Sequence, residues 1–569
     1  MTMPPPAGAR TGATKRPEGR NVPAARHAAA RPARRLRRAA WLAGFTAVAI
    51  GLFVCYLWQS RSLALGSDGA SNALEAWDML HGNLLLHGWQ LSDVSFYTTE
   101  LPEYMIVESV RGLGPDVVHV AGAVTYTLLL VLAGLVAKGR ATGREGLARV
   151  LIACGIMLAP QVGSASTLLL LSPDHVGTEV PLLLIWLLID RARPRWYVPA
   201  AAAVGLAWVQ VADTFALYVG VIPLVLVGLV RAVHQFAGQE VGTSAPRRIG
   251  AAWYELALAG AALVSVALAA AAVHVIRASG GYLASAPTTK LAGWADIGPH
   301  FVITGQCILE LFGANVLNTT GGASTFYAAV HLAGVAAAAC GLALAIWRLF
   351  RRGDLITGVL AVAILVNLGA FIVSTQARDL LSGREIAAVL PYGAVLAGRA
   401  LGGPLASAGR RAVRLSLASA GLACLACYAV ALGYGVSQPA TPAQNLDLTA
   451  FLAAHDLHNG LGGYWQANSG TLDSGGRIAI RSVLWAAGQT RRDPWETNAG
   501  WFDPRSHSAN FVVTVSRPSS EVWEIVPREA RMTWGQPERT YHFGRYTVLV
   551  WHTNLLARLG TPAPVSAGQ

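Results

Sequence analysis

The sequence predicts a mainly α-helical protein: a polytopic membrane bundle of about eleven spanning helices, followed by an α/β domain outside the membrane. Three observations lead to this prediction. Of the 569 residues, 53% are hydrophobic and only 13% are charged, whereas a soluble protein carries about 25% charged residues. Apolar runs of spanning length recur between residues 39 and 436. After residue 437 the pattern changes to a helical stretch and several strand-like runs.

Residues 1–38 are rich in proline, alanine and arginine and show no apolar periodicity. They hold ten basic residues and one acid, Glu18. We expect a disordered, basic cytoplasmic tail that contacts anionic lipid. The formal net charge of +13 therefore reflects membrane orientation, and we expect no nucleic-acid partner.

The predicted spans account for residues 39–436, the transmembrane bundle. They are 39–58, 117–137, 147–170, 177–190, 197–212, 215–231, 252–275, 325–348, 355–375, 385–399 and 414–436. No small-residue cleavage site follows the first span, so we expect an anchor rather than a removed signal peptide.

The loops between these spans predict the orientation in the cell membrane. Every second loop is short and rich in arginine, which is typical of the cytoplasmic side. These loops are 138–146, 190–196, 231–251, 348–354 and 400–413. The N-terminus is then cytoplasmic, and the long loops 59–116 and 277–324 lie outside the cell together with the soluble domain 437–569.

Ionisable residues are almost absent from the middles of the spans, where Asn367 is the main polar exception. Acids and histidines gather instead at the outer ends of spans and in the two long outer loops. A transporter usually binds its substrate near the membrane midplane. This distribution indicates a site that faces the outer surface.

The first outer loop carries the strongest candidates. A helix is predicted over residues 69–81, and spacings of four and three place Asp68, Asn72 and Glu75 along one face. Asp68 has two interpretations. It is either the N-cap of this helix or a carboxylate at the membrane boundary that deprotonates an acceptor hydroxyl.

Further candidates come from the short outer segments. They are Asp174, His175, Asp213, Arg378 and Arg384. Arg384 could hold a phosphate oxygen, for which a guanidinium fork is suited. The alternative for the two arginines is interfacial anchoring or salt bridges to Asp379 and Glu385. Asp174 and His175 form either a surface pair or part of a metal site, which needs more than two ligands.

The outer domain offers aromatic side chains beside polar ones, in Tyr464–Asn468 and at Trp485, Trp495 and Trp501. Such aromatics either bind carbohydrate or fill the core of a small domain. Strands are predicted at 476–483, 510–515 and 541–550 after a helix at 446–460. This domain contains no cysteine, so no disulfide is expected in it.

Together these features resemble the GT-C glycosyltransferase superfamily, which includes protein O-mannosyltransferases and the aminoarabinose transferases of lipid A. The resemblance implies an essential Asp directly after the first span and a polyprenyl-phosphate or polyprenyl-pyrophosphate sugar donor. Asp68 matches that Asp by position, and Arg378 or Arg384 falls where members place a residue near the lipid phosphate. The sequence departs from the pattern at Gly69, where many members have Glu. Glu75 is the candidate replacement.

The leading hypothesis is an inverting transfer of a sugar from a polyprenyl-phosphate-linked donor to an envelope glycan, lipid or protein at the outer face. Asp68 would be the base, Glu75 or Asp174 would orient the acceptor or bind a metal, and Arg384 would hold the leaving phosphate. His175, Asp213 and Arg378 would complete the substrate site. A divalent cation is a candidate cofactor. The alternative is a non-catalytic envelope-assembly or lipid-linked-glycan transport protein.

Overall fold

The computed structural model describes residues 25–171, 175–237, 245–286, 289–319, 321–351, 353–407, 411–517 and 523–560. Residues up to Gly51 form one structural unit, and residues from Leu52 onward form a second one that contains the candidate site. Residues 1–24 of the predicted disordered tail lie outside the residues that the structure describes. Residues 25–38 are helical, which agrees with the high helix propensity of alanine and arginine.

The chain is mainly α-helical, with 65% of its residues in helices. The first half contains α1 Ala25–Ser60, α2 Ser67–Leu80, α3 Glu100–Arg111, α4 Asp116–Lys138, α5 Gly143–Met157, α6 Ser164–Leu170, α7 Val176–Arg191, α8 Tyr197–Ala212, α9 Ile222–Ala237 and α10 Ala245–Ala278. The second half contains α11 Ile297–Leu311, α12 Ala323–Leu349, α13 Leu355–Ile372, α14 Val389–Ser407, α15 Arg411–Val436, α16 Leu446–Ala454, α17 Tyr464–Asp473 and α18 Pro527–Trp534.

Each predicted span coincides with helical structure, and the chain is a multi-pass membrane protein. By length and composition, seven helices in the described part of the chain could cross a membrane. They are Leu42–Ser60, Asp116–Lys138, Leu217–Ala237, Ala252–Ala278, Ala323–Leu349, Leu355–Ile372 and Leu415–Val436. Helices α7, α8 and α14 are shorter or less apolar, so the count of eleven stays a prediction.

The predicted third span, 147–170, is divided in two. Helix α5 ends at Met157 and α6 begins at Ser164. Pro160 lies in the gap and lacks the N–H that a continuing helix would use. Gly163 has φ 111°, a backbone conformation that favours glycine.

Small residues bring the bundle helices into close contact. A Cβ atom on Gly341 of α12 would lie 2.6 Å from the backbone nitrogen of Ala397 in α14. One on Gly122 of α4 would lie 2.2 Å from the carbonyl oxygen of Leu170. Apolar surface drives little association between helices in lipid, so close backbone packing of this kind contributes much of the stability.

An ion-pair network joins the helix ends on the side of the bundle where α7 ends and α13 begins. Arg399 of α14 pairs with Asp190 at 3.0 Å and with Asp354 at 2.6 Å. Its guanidinium also donates to the carbonyl oxygen of Val136 at 2.7 Å. The candidate site described below lies at the opposite ends of α7 and α13.

A small sheet joins the two long loops to the C-terminal region. Its strands are β1 Trp89–Leu91 in the first loop, β2 Leu283–Ala284 in the second, and β6 Thr497–Asn498. The order is β2-β1-β6, with β1 parallel to β2 and antiparallel to β6. Three segments that are far apart in sequence are thereby held at one place.

The C-terminal region is built on a six-stranded mixed sheet of order β5-β4-β3-β7-β9-β8. The strands are β3 Asn459–Gly462, β4 Ala479–Ala486, β5 Gln489–Arg492, β7 Phe511–Val515, β8 Arg539–Phe543 and β9 Tyr546–Val550. Alternate residues of β7 face opposite sides, with Val513 packed on the α16 side and Val512 on the α18 side. This alternation is what a strand buried on both faces requires.

In this region two predicted elements each correspond to a pair of shorter ones in the structure. The predicted helix 446–460 is helix α16 followed by strand β3. The predicted strand 541–550 is the hairpin of β8 and β9, which turns at Gly544 with φ 54°. A left-handed residue in a tight turn is a common place for glycine.

Candidate active site

A cavity of about 570 Å³ lies where the start of α2 and several bundle helix ends meet the second long loop and the C-terminal region. Its charged and titratable lining consists of Asp68, Asp93, Asp213, Glu385, Glu496, His175, Lys290 and Arg384. Its aromatic lining consists of Phe96, Phe215, Tyr218, Phe371 and Trp495. Mixed apolar walls with a few convergent polar groups are typical of small-molecule sites.

Four residues predicted from the sequence share this cavity: Asp68, His175, Asp213 and Arg384. They come from four different segments of the bundle. The structure therefore brings the candidates together, while their chemical roles stay predictions.

Asp68 is the second residue of α2, whose N-cap is Gly66 without a side-chain capping bond. The interpretation of Asp68 as the N-cap is therefore wrong, because the helix begins two residues earlier than the sequence indicates. Its Oδ1 instead accepts a hydrogen bond from the Tyr464 hydroxyl at 2.6 Å. The Ser67 hydroxyl donates to the Tyr464 carbonyl oxygen at 2.8 Å, so the C-terminal region holds the start of α2.

Gly69 occupies the position where many GT-C members have Glu. The packing around it accounts for a residue without a side chain. A Cβ atom on Gly69 would lie 2.8 Å from Cγ1 of Val118 in α4. Real side chains essentially never approach so closely, and well-packed interiors resist such overpacking. A second acid after Asp68 would therefore require a shift of the Val118 side chain or of α2 relative to α4.

Glu75 lies on the same helix as Asp68 but does not line the cavity. It is 2% exposed, beneath the start of α2. Burial, and then the nearby Glu496 carboxyl, raise the pKa of Glu75 well above its usual value. Burial of this kind favours the neutral form of a carboxyl. The place of Glu75 as a substitute second acid stays a prediction.

Glu496 is the acid that the sequence analysis missed. It comes from the segment between β5 and β6, lines the cavity and is 3% exposed. Its backbone has φ 48°, which is uncommon for a residue other than glycine and often marks a functional site. Burial, and then the charge of Asp68, raise the pKa of Glu496 to about 8. No local motif marks this residue in the sequence.

The tryptophans of the C-terminal region lie in different environments. Trp495 lines the cavity beside Glu496. Trp501 packs edge-on against Trp89 of the first loop, with ring centroids 4.8 Å apart. Trp495 thus lines a cavity and Trp501 packs against the core, while carbohydrate binding stays a prediction.

His175 joins two carboxylates across the cavity wall. Its Nδ1 lies 2.7 Å from Asp213 Oδ2, and its Nε2 lies 3.1 Å from Glu385 Oε2. Asp213 also accepts from the hydroxyl of Thr178 at 2.6 Å and from the backbone N–H of Phe215 at 2.8 Å. This arrangement ties the start of α7 to the end of α8 and to the segment before α14.

Protonation of this group follows from its surroundings. Burial alone would lower the pKa of His175, but Asp213 and Glu385 outweigh burial and hold that pKa well above its usual value. Burial would raise the pKa of Asp213, but His175 outweighs it and holds that pKa low. The group is therefore a buried imidazolium held by carboxylates. His175 itself has φ 42°, a left-handed conformation that costs energy in a non-glycine residue.

The two candidate arginines differ in position. Arg384 lines the cavity, where its Nε lies 3.6 Å from Glu385 Oε1. Arg378 is outside the cavity lining, exposed, and donates from Nε to the carbonyl oxygen of Thr375 at 3.0 Å. Lys290 of the second loop is a second cation at the cavity. Asp174 lies outside the residues that the structure describes.

The described part of the chain holds no group of three or more His, Cys, Asp or Glu side chains placed to bind a metal ion. At the cavity, Asp68 and Glu496 contact the Tyr464 hydroxyl, and Asp213 and Glu385 contact His175. Asp174, one of the two candidate metal ligands, lies outside the described residues, and a divalent cation stays a candidate cofactor.

No protein-family model and no curated protein matches the sequence. Among solved structures, the chain is similar to ArnT from Cupriavidus metallidurans, a lipid A aminoarabinose transferase of the GT-C superfamily. The TM-score is 0.51 at 15% identity, and the alignment covers 92% of this chain and 99% of ArnT. The chain has a GT-C-like fold.

The archaeal oligosaccharyltransferase AglB from Archaeoglobus fulgidus, solved with an inhibitory peptide and a dolichol-phosphate, is also similar. Its TM-score is 0.42 at 12% identity, and the alignment covers 82% of this chain and 69% of AglB. The GT-C-like fold with a C-terminal α/β region confirms the fold class predicted from the sequence. The match to ArnT extends over almost the whole of both chains.

Proposed function

We propose that this protein is an integral membrane glycosyltransferase that transfers a sugar from a polyprenyl-phosphate-linked donor to an acceptor at the outer face of the membrane. One observation carries the proposal. Asp68, directly after the first spanning helix, lines the same cavity as the cations Lys290 and Arg384. A base for the acceptor and positive charge for a phosphate are the two groups that such a transfer needs.

In the proposed step, the acceptor hydroxyl oxygen forms a bond to the anomeric carbon of the sugar. The bond from that carbon to the lipid phosphate breaks, and its electron pair goes to the phosphate oxygen. The acceptor proton goes to the Asp68 carboxylate. Arg384 and Lys290 stabilise the negative charge that grows on the leaving phosphate. A single displacement of this kind inverts the anomeric configuration.

The walls of the cavity suit these substrates. Phe371 and Phe215 provide apolar surface next to the cations, as an isoprenoid phosphate requires. Trp495 offers an aromatic face on which a sugar ring could stack. The ion-paired His175 keeps Asp213 ionised and fixed, so that an acidic wall can accept hydrogen bonds from sugar hydroxyls.

The acceptor class follows from the orientation that the arginine-rich loops predict. With those loops in the cytoplasm, the cavity opens on the outer side, where envelope glycans, lipids and exported proteins are found. The fold of ArnT supports the layout of bundle and C-terminal region. A non-catalytic assembly or transport protein is the competing hypothesis, and it requires no base at Asp68.

The test is Asp68→Asn. Asparagine keeps the size of the side chain and an oxygen that accepts from Tyr464, but it cannot take up the acceptor proton. Loss of a general base lowers the rate by about 10²- to 10⁴-fold. We expect a stably inserted protein that no longer transfers sugar, measured as the envelope glycan composition of a strain that carries the variant.

The matched control is Asp447→Asn, which changes an exposed carboxylate on α16 outside the cavity. It should leave the glycans as in the wild type. Unchanged glycans in the Asp68→Asn strain, at equal protein level in the membrane fraction, would contradict the proposed function and favour the non-catalytic alternative.

A further inference from the structure

The hydroxyl of Tyr464 lies between two carboxyl groups. It is 2.6 Å from Asp68 Oδ1, and it is also hydrogen-bonded to Glu496 Oε2. A phenol hydroxyl has one hydrogen to donate. Two contacts of hydrogen-bond length to carboxyl oxygens therefore require a second hydrogen, which one of the carboxyl groups must carry.

The surroundings decide which carboxyl carries it. Glu496 is 3% exposed. The charged or titratable groups that face it are Asp68 and Glu75 from α2 and Tyr464 from α17. The hydroxyls of Ser71 and Ser92 also face it. Burial among other acids favours the neutral carboxyl, and the raised pKa of Glu496, about 8, agrees with this.

Asp68 has the opposite environment. It is only partly buried, at the cavity surface and in the first turn of α2, where the helix dipole favours a negative charge. The hydrogens are then ordered in one direction. The Glu496 carboxyl donates to the Tyr464 oxygen, and the Tyr464 hydroxyl donates to the Asp68 carboxylate.

We propose that Tyr464 and Glu496, supplied by the C-terminal region, are positioning residues that hold Asp68 as an oriented carboxylate. The proposal rests on the proposed function, because it assigns their part in the same transfer. Tyr464 holds Oδ1 of Asp68 in place, and the oriented carboxylate takes the acceptor proton. Tyr464 and Glu496 keep their own hydrogens throughout the step.

The arrangement predicts a distinctive dependence on pH. When Glu496 loses its proton, one hydroxyl hydrogen is left for two carboxylates, and the added negative charge lies next to Asp68. The Tyr464 hydroxyl is then shared between them, and Asp68 is no longer held in one orientation. Transfer should therefore decline on the alkaline side as Glu496 ionises.

The first experiment compares the pH–rate profiles of the purified wild type and Glu496→Gln, each relative to its own maximum. The glutamine amide has the size of glutamate, donates a hydrogen to Tyr464 and does not ionise. We expect the alkaline decline to disappear in Glu496→Gln. The control Glu538→Gln, an exposed acid in the same region, should keep the wild-type profile. An alkaline limb at the same pH in wild type and Glu496→Gln would overturn the inference.

A second variant tests the inference independently of whether Glu496→Gln folds. Tyr464→Phe keeps the ring and removes the hydroxyl, so Asp68 loses its orienting donor. Misplaced catalytic groups can cost about 10²-fold in rate, and we expect a loss approaching that size in kcat with little change in KM. A kcat equal to that of the wild type would contradict a positioning role for Tyr464.

Infrared spectroscopy of the purified protein tests the shared hydrogen without any turnover. The wild type should show a protonated carboxyl band at neutral pH that Glu496→Gln lacks and that fades as the pH rises. Absence of that difference overturns the inference even if the protein is a transferase. A wild type with this band but without transfer activity would instead contradict the proposed function.

Discussion

At the scale of single residues, the decisive contacts at the cavity join parts of the chain that are far apart. Tyr464 and Asp68 are 396 residues apart in sequence. The position of Asp68 after the first span was enough to mark it as a candidate. Glu496 carries no such mark, because its place depends on how the C-terminal region packs against α2.

The two candidate arginines are a second case in which local structure, rather than the sequence pattern, decides which side chain reaches the cavity. Arg378 and Arg384 are six residues apart, and the family resemblance places either of them near the lipid phosphate, although the leading hypothesis assigns the phosphate to Arg384. The segment Leu381–Ile386 forms a 3₁₀-helix, and its turn directs Arg384 to the cavity while Arg378 stays on the surface. Periodicity does not resolve so short an irregular segment.

Arg384→Gln should weaken transfer more than Arg378→Gln does. A charge-assisted hydrogen bond is worth about 1.5–3 kcal/mol, which corresponds to a loss of roughly 10- to 10²-fold. The measurement is kcat/KM for a polyprenyl-phosphate sugar with both variants in parallel. Equal losses in the two variants would remove the basis for placing the donor phosphate at Arg384.

His175→Gln should destabilise the protein in a pH-dependent way. The pKa of His175 is raised in the folded protein, so its contribution is complete below the unfolded value of about 6.5 and is lost as the pH rises through the folded value. Removing one partner of a buried ion pair costs up to about 3–5 kcal/mol.

The measurement is the thermal midpoint in detergent at several pH values for the wild type and His175→Gln. The gap between them should be widest at about pH 6, where the histidine is charged in both states, and should narrow at alkaline pH. The control His455→Gln changes an exposed histidine and should give a small gap. A His175→Gln gap that widens with increasing pH would contradict the charged state assigned to His175.

At the scale of elements, apolar periodicity predicts that the helices exist but predicts their ends less accurately. Helices α4, α12 and α13 coincide with predicted spans to within about three residues, because long apolar runs have one stable form in lipid. The break between α5 and α6 was missed, since the flanking residues are apolar on both sides. Strands β4, β7, β8 and β9 overlap the predicted strand runs, which alternate or are wholly apolar. Strands β3 and β5 are not predicted, because they are short and lack such a pattern.

Gly341→Leu should separate α12 from α14. The added side chain would meet the backbone of Leu396 and Ala397, with Cβ 2.6 Å from the nearest atoms. Backbone cannot rotate aside as a side chain can, so we expect a loss at or above the usual overpacking cost of about 1–3 kcal/mol. The measurement is the thermal unfolding midpoint of the purified protein in detergent.

Gly421→Leu on α15 is the matched control, because nothing lies within 4 Å of a Cβ atom placed there. The same substitution in a spanning helix should then have little effect on stability. Equal destabilisation by both variants would show that leucine is harmful in these helices for a reason other than the contact between α12 and α14.

At the scale of the whole molecule, the distribution of arginine predicts the orientation. The loops at the Arg399 end of the bundle carry the arginines, and the cavity lies at the other end. Short arginine-rich loops stay in the cytoplasm. We therefore expect the C-terminal region to be accessible from outside the cell.

Labelling of intact cells by a membrane-impermeant thiol reagent tests this orientation. Ser508→Cys places an exposed thiol in the C-terminal region, and Ser407→Cys places one at the end of α14. The background is a chain without its six native cysteines. We expect labelling at position 508 only. Labelling at 407 with protection at 508 would reverse the orientation and with it the proposed location of the acceptor.

The three-stranded sheet of β1, β2 and β6 has a consequence for biogenesis. Its last strand, and Glu496 beside it, follow every helix of the bundle in the chain. A nascent polypeptide that has inserted all its spanning helices still lacks one wall of the cavity. The candidate site is therefore completed by a segment that leaves the ribosome after every bundle helix, so under the proposed function an unfinished chain already in the membrane would not yet consume donor lipid.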